Sequence, residues 1–237
     1  RRRIARATTT RVTATASVTI GTATNSGTTN NHTLVLDGTS GGNAVTAVLK
    51  DGGSGVGILS VTKSNTGTWT LSGTNTYTGS TAVNGGRLVI ASTGRINTTS
   101  GISIGAGELA YNSSTALSQA VSFNGTGGTL RGTGTITPAF SVTSGNTVAA
   151  GTDAGTLGTL TFGGGLTGTT GATFSLKLDS GTMTADLLSA AGITLGGATL
   201  SLTDLGSATL TSGAFTILHS TGTSITGTFA GLGEGAT

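Results

Sequence analysis

Eight carboxylates could do acid–base or polysaccharide chemistry in this 237-residue chain: Asp37, Asp51, Glu108, Asp153, Asp179, Asp186, Asp204 and Glu234. Glycoside cleavage needs two carboxyl groups at a fixed separation, yet these are spread almost evenly along the sequence. Asp37-Gly38 and Asp51-Gly52 have the form of turn dipeptides. His32 and His219 lie far apart, with no Cys and no His-x-x-Glu spacing, which argues against a metal centre. Gly163-Gly164-Gly165 and the Gly-rich stretch 125–134 lack the Gly-Lys-Ser/Thr and the following helix of a phosphate loop. Serines are frequent, but no His and Asp partners anchor one as a nucleophile. The expectation is no catalytic set, no cofactor and no metal. Trp69, Tyr77 and Tyr111 would stack on sugar rings if exposed; the favoured alternative for Trp69 and Tyr77 is that they pack inside the fold.

The elements that hold these residues are written in the composition. Thr supplies 53 positions and Gly 43, only 8% of residues are charged, and 4% are aromatic. An ordinary domain is about a quarter charged. A thick core cannot be filled this way, so a thin, repetitive one is expected. Mean hydropathy is positive and net charge only +3, which excludes a polar disordered tract.

Five of the eleven basic residues, Arg1, Arg2, Arg3, Arg6 and Arg11, fall in the first eleven positions. The other 226 residues carry six basic and eight acidic side chains. No aromatic is interleaved with the arginines, so nucleic acid is not the expected partner. No apolar run is long enough for a transmembrane helix. The start RRRIARA has no apolar segment behind it and is not an intact signal peptide.

Apolar and polar residues alternate in short bursts ended by Gly, Asn, Asp or Ser. Val12 to Ile20 alternates over nine positions, and shorter bursts follow from Leu34 to Leu36 through to Ile225 to Phe229. Glu, Lys and Arg, the residues that usually stabilise exposed helices, are almost missing. Most bursts are too short, and their side chains too small, for a sandwich. The expected fold is all-β: a single-stranded β-solenoid, a right-handed parallel β-helix of about 8 to 11 coils.

The segment Gly67-Thr-Trp-Thr-Leu-Ser-Gly-Thr-Asn-Thr-Tyr-Thr-Gly-Ser-Thr-Ala-Val-Asn-Gly-Gly-Arg-Leu-Val-Ile90 resembles the autotransporter-associated β-strand repeat of passenger domains and large secreted bacterial β-helical proteins. Residues 158 to 236 resemble, more loosely, the C-terminal region that follows such repeats. The expected organisation is an N-terminal basic arm and alternating strand at 1–20, read from charge and alternation, and a solenoid over 21–237. The resemblance implies a secreted, extracellular or bacterial cell-surface location.

The function expected is a non-enzymatic structural protein that stacks head to tail with copies of itself into a filament or surface fibre. Its contacts would come from Arg1, Arg2, Arg3, Arg6, Arg11, Val12, Val18 and Ile20 at one end and Phe229 and Leu232 at the other. A passenger-type adhesin or carbohydrate-binding stalk, with a polysaccharide or cell-surface partner, is the second reading. A β-helical polysaccharide lyase or hydrolase is the third.

Overall fold

The computed structural model describes residues 8–16, 19–20, 30–52, 57–208 and 213–233. Among them every regular element is a strand, and no helix occurs. In chain order these are β1 (Thr8–Ala14), β2 (Thr19–Ile20), β3 (His32–Gly38), β4 (Asn43–Val45), β5 (Leu59–Lys63), β6 (Thr68–Leu71), β7 (Thr81–Val83) and β8 (Arg87–Ile90). There follow β9 (Ile102–Ile104), β10 (Glu108–Tyr111), β11 (Val121–Phe123), β12 (Thr129–Gly132), β13 (Thr135–Ile136), β14 (Phe140–Val142) and β15 (Thr147–Ala149). The last are β16 (Thr159–Gly168), β17 (Thr173–Asp179), β18 (Thr184–Ala185), β19 (Leu187–Thr194), β20 (Thr199–Asp204), β21 (Leu218–Ser220) and β22 (Ile225–Thr226).

With the exception of the short antiparallel hairpin β17–β18, strands do not pair with their neighbours in sequence. β1, β3, β5, β7, β9 and β11 build one sheet; β2, β4, β6, β8, β10, β12, β15, β17 and β20 run through a second. Those pairings are all parallel, so each strand meets its partner only after the chain has gone round once. The return takes from 18 residues (Thr129 to Thr147) to 32 (Ile193 to Ile225). This parallel coil-on-coil order is what a solenoid requires and a sandwich does not have. Nine stacked strands in the second sheet, spaced as sheet strands are, span about 40 Å.

A third sheet, β13, β16, β19 and β21, covers the remaining side, and there β16 and β19 each serve two faces. Their first halves pair with β13 and β21, and their second halves pair with β14 and β22. The register of β16 slips between Phe162 and Gly165, at the three glycines that looked superficially like a phosphate loop. A Cβ on Gly164 would lie 2.5 Å from the backbone nitrogen of Ala139 in the previous coil, so only glycine lets the strand bend there.

The core is a set of single-file columns. Parallel register places Trp69, Leu88, Leu109, Leu130, Val148, Phe174 and Leu200 one above another, and all but Leu200 are fully buried. A second column runs Val12, Leu36, Lys63, Val83, Ile104. Buried asparagines tie the corners between coils. Asn75 accepts the Leu49 N–H (2.9 Å) and donates to the carbonyls of Gly73 and Arg95 (both 2.9 Å). Asn146 accepts the Gly128 N–H (2.9 Å) and donates to Gly125 O (2.8 Å). Each saturates an amide that would be costly to bury alone.

Residues 67–90 adopt three separate strands, β6, β7 and β8, with Asn84-Gly85-Gly86 as the corner before β8. Val12 to Ile20, read as one alternating strand, instead divides: β1 joins the first sheet and β2 the second. Alternation of Thr, Ala and Ser is compatible with a straight strand. The coil beneath turns between β3 and β4, however, and the parallel pairing β1–β3 and β2–β4 forces the same corner. These strands therefore belong to the same sheets as the rest of the chain.

Candidate functional site

The densest ionisable cluster among the described residues lies on the outer face of the second sheet. Arg87 on β8 and Glu108 on β10 are register partners, and Arg87 Nε lies 2.7 Å from Glu108 Oε1. Arg131 on β12 sits two positions beyond the partner of Glu108 and reaches back to Oε2, 3.3 Å away. Period-two alternation puts all three on the side opposite Leu88, Leu109 and Leu130.

The turn after β15 folds over this ladder. Arg131 Nη1 donates to Asp153 O (2.9 Å), and Arg87 donates to Thr152 O. The Asp153 carboxylate accepts the Gly155 N–H (2.8 Å), which holds it below the usual carboxylate range with help from Thr156, Arg87 and Arg131. Glu108 is bracketed by two guanidiniums. A glycosidic general acid needs a carboxyl group whose environment favours protonation, and that of Asp153 does the opposite. The groups of the cluster clamp the turn onto three coils.

The other described carboxylates are local anchors. Burial alone would raise Asp51, but the N–H groups of Leu59 (2.8 Å) and Thr78 (3.1 Å) and the Thr78 hydroxyl (2.6 Å) bring it below its ordinary value. Asp37 is held low first by the Gly38 N–H and also by Arg11, its ion-pair partner. Asp204 is held low by the Ser180 N–H, and Asp179 accepts the N–H groups of Gly181 and Thr182. Asp186 forms a buried pair with Lys177 at 2.7 Å. Glu234 lies outside the described residues.

His219 Nδ1 lies 3.4 Å from Ser189 Oγ on the neighbouring strand. Gly101-Ile102-Ser103-Ile104-Gly105 has the spacing of a nucleophile elbow. Ser103 lies in the middle of β9 rather than on a strand-to-helix turn, so its backbone lacks the elbow. No group of three or more His, Asp or Glu side chains suited to a metal ion occurs among the described residues.

Trp69, Tyr77 and Tyr111 each have 0% exposure, so the sugar-stacking role weighed for them is corrected: no ring face is open. Trp69 Nε1–H donates to Asp37 O (3.0 Å), the Tyr77 hydroxyl meets Thr81 Oγ1 (2.7 Å), and Tyr111 donates to Thr115 O (2.6 Å). Burial pushes both phenols up. Lys63 is an interior residue that a strand-alternation reading assigns to no site. Its ammonium is held by the carbonyls of Ser64 (2.6 Å), Asn65 (2.9 Å) and Gly85 (3.1 Å).

Of the residues expected at the ends, Arg1, Arg2, Arg3, Arg6 and Val18 lie outside the described residues. Arg11 and Val12 are on β1, and Ile20 on β2 pairs with Val45. Phe229 packs edge-on against Phe174, ring centres 5.5 Å apart, and so plugs its own core; Leu232 is exposed. Among the described residues, no contact joins Arg11 or Val12 to Phe229 or Leu232.

No curated protein and no solved structure matches the chain. Residues 61–90, which run from β5 through β8 in the middle of the continuous stack, match the family model of the passenger-associated-transport-repeat. The chain carries that repeat, and it covers the segment whose residues resemble the autotransporter-associated one.

Proposed function

We propose that this chain is a non-catalytic structural segment of a secreted, passenger-type bacterial surface protein, a right-handed single-stranded β-solenoid that builds length and stacks end to end into a fibre. The observation that carries the reading is the passenger-associated repeat embedded in an uninterrupted parallel stack. Every described carboxylate serves a turn, a clamp or a buried pair, which supports a scaffold over a lyase or hydrolase.

The second reading is a carbohydrate-binding stalk. It is favoured by the outward column Thr129, Thr147, Thr173 and Thr199, which presents one hydroxyl per coil along the second sheet.

Incubation with a panel of acidic and neutral polysaccharides tests both. The expected outcome is no release of reducing or unsaturated ends and no retention on immobilised glycans. Cleavage lost on Glu108→Gln or Asp153→Asn would overturn the scaffold reading, and retention lost on changing the threonine column would favour the stalk.

A further inference from the structure

We infer that Asn124 is an acceptor for N-linked sugar, presented by the folded chain to a glycosyltransferase that reads Asn-x-Ser/Thr. The chain holds four such triplets: Asn31-His32-Thr33, Asn97-Thr98-Thr99, Asn112-Ser113-Ser114 and Asn124-Gly125-Thr126. Triplets of this form arise readily where Thr is so frequent, and their residue types alone do not choose among them. The fold does, because the amide of the Asn and the hydroxyl two residues on must both be within the enzyme's reach.

Three of the triplets are engaged in the coils. Asn97 donates from Nδ2 to Ala116 O (2.7 Å) and its Oδ1 is buried, while Thr99 is 2% exposed with its hydroxyl bonded to Gly79 O (2.5 Å). Asn112 is half-buried with its Oδ1 enclosed, and Ser114 donates to Ser92 O of the preceding coil (2.9 Å). Asn31 accepts the Ile58 N–H (3.2 Å), and Thr33 lies within β3, paired to Thr9 of β1 on one side and to Ser60 of β5 on the other.

Asn124 stands at the corner between β11 and β12. That corner runs over five residues, 124–128, where the same corner takes three between β7 and β8 and three between β9 and β10. The added length leaves Asn124, Gly125, Thr126 and Gly127 exposed in a row, and a Cβ on Gly125 would meet no atom within 4 Å. Gly125 at φ 118° and Gly127 at φ 80° take backbone conformations that side chains resist, which lets the corner bulge. Its feet are fixed. Buried Asn146, one coil on, donates to Gly125 O (2.8 Å) and accepts the Gly128 N–H (2.9 Å), and the Gly127 N–H donates to Gly145 O (2.8 Å). An exposed loop on a firm base can be gripped without opening the coil that carries it.

The co-substrate is a sugar joined through its anomeric carbon to a diphosphate, of a nucleotide or of a lipid carrier. Asn124 Nδ2 forms a bond to the anomeric carbon and the bond from that carbon to the phosphate oxygen breaks. The diphosphate leaves with the electron pair, and a base of the transferase takes the amide proton. Asn124 belongs to neither strand, so the sugar displaces no side chain of the core.

Fragmentation mass spectrometry of the full 237-residue chain, harvested from the cells that make it, should find the glycan on Asn124. In vitro, the folded chain is given a soluble asparagine glycosyltransferase with uridine diphosphate glucose, or a membrane oligosaccharyltransferase with a polyprenyl-diphosphate oligosaccharide; the arm that modifies Asn124 identifies the donor. Asn97 must first be released from its hydrogen bonds, so its transfer should be slower by about tenfold or more. Asn124→Gln and Thr126→Ala should abolish modification and Thr126→Ser should keep it, with unchanged far-ultraviolet circular dichroism. In the tryptic peptide 96–131, which holds Asn97 and Asn124 without the fold, the preference between these two Thr-bearing triplets should vanish. A harvested chain bare at Asn124, no transfer in either arm, equal transfer to Asn97 in the folded chain, or a preference that persists in the peptide would each overturn the inference. A bare Asn124 leaves the scaffold reading standing, and polysaccharide cleavage would end that reading without touching Asn124.

Discussion

Replacing Asp186 with alanine should remove a large part of this protein's stability. Lys177 Nζ and Asp186 Oδ2 are 2.7 Å apart, with side-chain exposures of 6% and 0%. Asp186 also accepts the N–H groups of Gly158 (2.8 Å) and Lys177 (2.9 Å), while the lysine donates to Ala150 O (2.7 Å). The pair therefore joins β17 to the segments that precede β16 and β19. Asp186→Ala leaves a buried ammonium with one neutral acceptor and strands two backbone donors. Breaking a buried pair costs about 3–5 kcal/mol, and each stranded donor adds up to about 1–3 kcal/mol, less than additively. A loss near 4 kcal/mol, at a urea dependence of about 2 kcal/mol per molar, lowers the unfolding midpoint by about 2 M. Adding Lys177→Met to Asp186→Ala removes the stranded charge and should recover part of the loss. Urea titration followed by far-ultraviolet circular dichroism measures all three. A midpoint for Asp186→Ala within about 0.5 M of the parent, equivalent to about 1 kcal/mol, would refute the reasoning.

Burial pulls the Lys63 ammonium down from 10.5 to about 8, opposed by the Asp37 carboxylate. Between about pH 8 and pH 10.5 the unfolded chain therefore binds more protons than the folded one, so this lysine makes the protein more stable as pH rises through that window. Comparison of Tm for the parent and Lys63→Met at about pH 7 and about pH 10 should show that increment only in the parent. Trp69, the one tryptophan of the chain, is fully buried, so its fluorescence should be blue-shifted, resistant to iodide quenching and unmoved by added saccharides. Gly164→Val places a Cβ 2.5 Å from the Ala139 backbone nitrogen, and thermal melts should show a destabilisation of about 1–3 kcal/mol or more.

The strands of residues 67–90 were legible because each carries apolar residues at alternate positions and ends in Gly or Asn, and the coil is narrow enough that local pattern decides. Trp69 was legible as a packed side chain from its place in the repeat, though not as a donor to Asp37, a residue 32 positions earlier that only coil stacking brings near. The corner between β1 and β2 could not be read from Val12 to Ile20, since the residues that impose it belong to β3 and β4. The same limit hid the Arg87, Glu108, Arg131 and Asp153 cluster. Even spacing in sequence becomes proximity once a coil takes about 20 residues. Lys63 reads as the end of an ordinary alternating burst, and its interior position depends on three carbonyls from turns that the sequence does not place beside it.

Stacked coils ordinarily cooperate only with their nearest neighbours, so stability is a sum of local terms and a rod can fray one coil at a time. The hydrogen bond from Arg87 to Thr152 departs from that rule, because it connects residues 65 apart across the coils of β8, β10 and β12. None of these coils can open without releasing the turn that lies over all three. Hydrogen exchange there should proceed as one concerted event, slower than in the coils on either side. The middle of the rod then behaves as a single mechanical block, and under tension the chain should lengthen from its ends before it yields at the clamp.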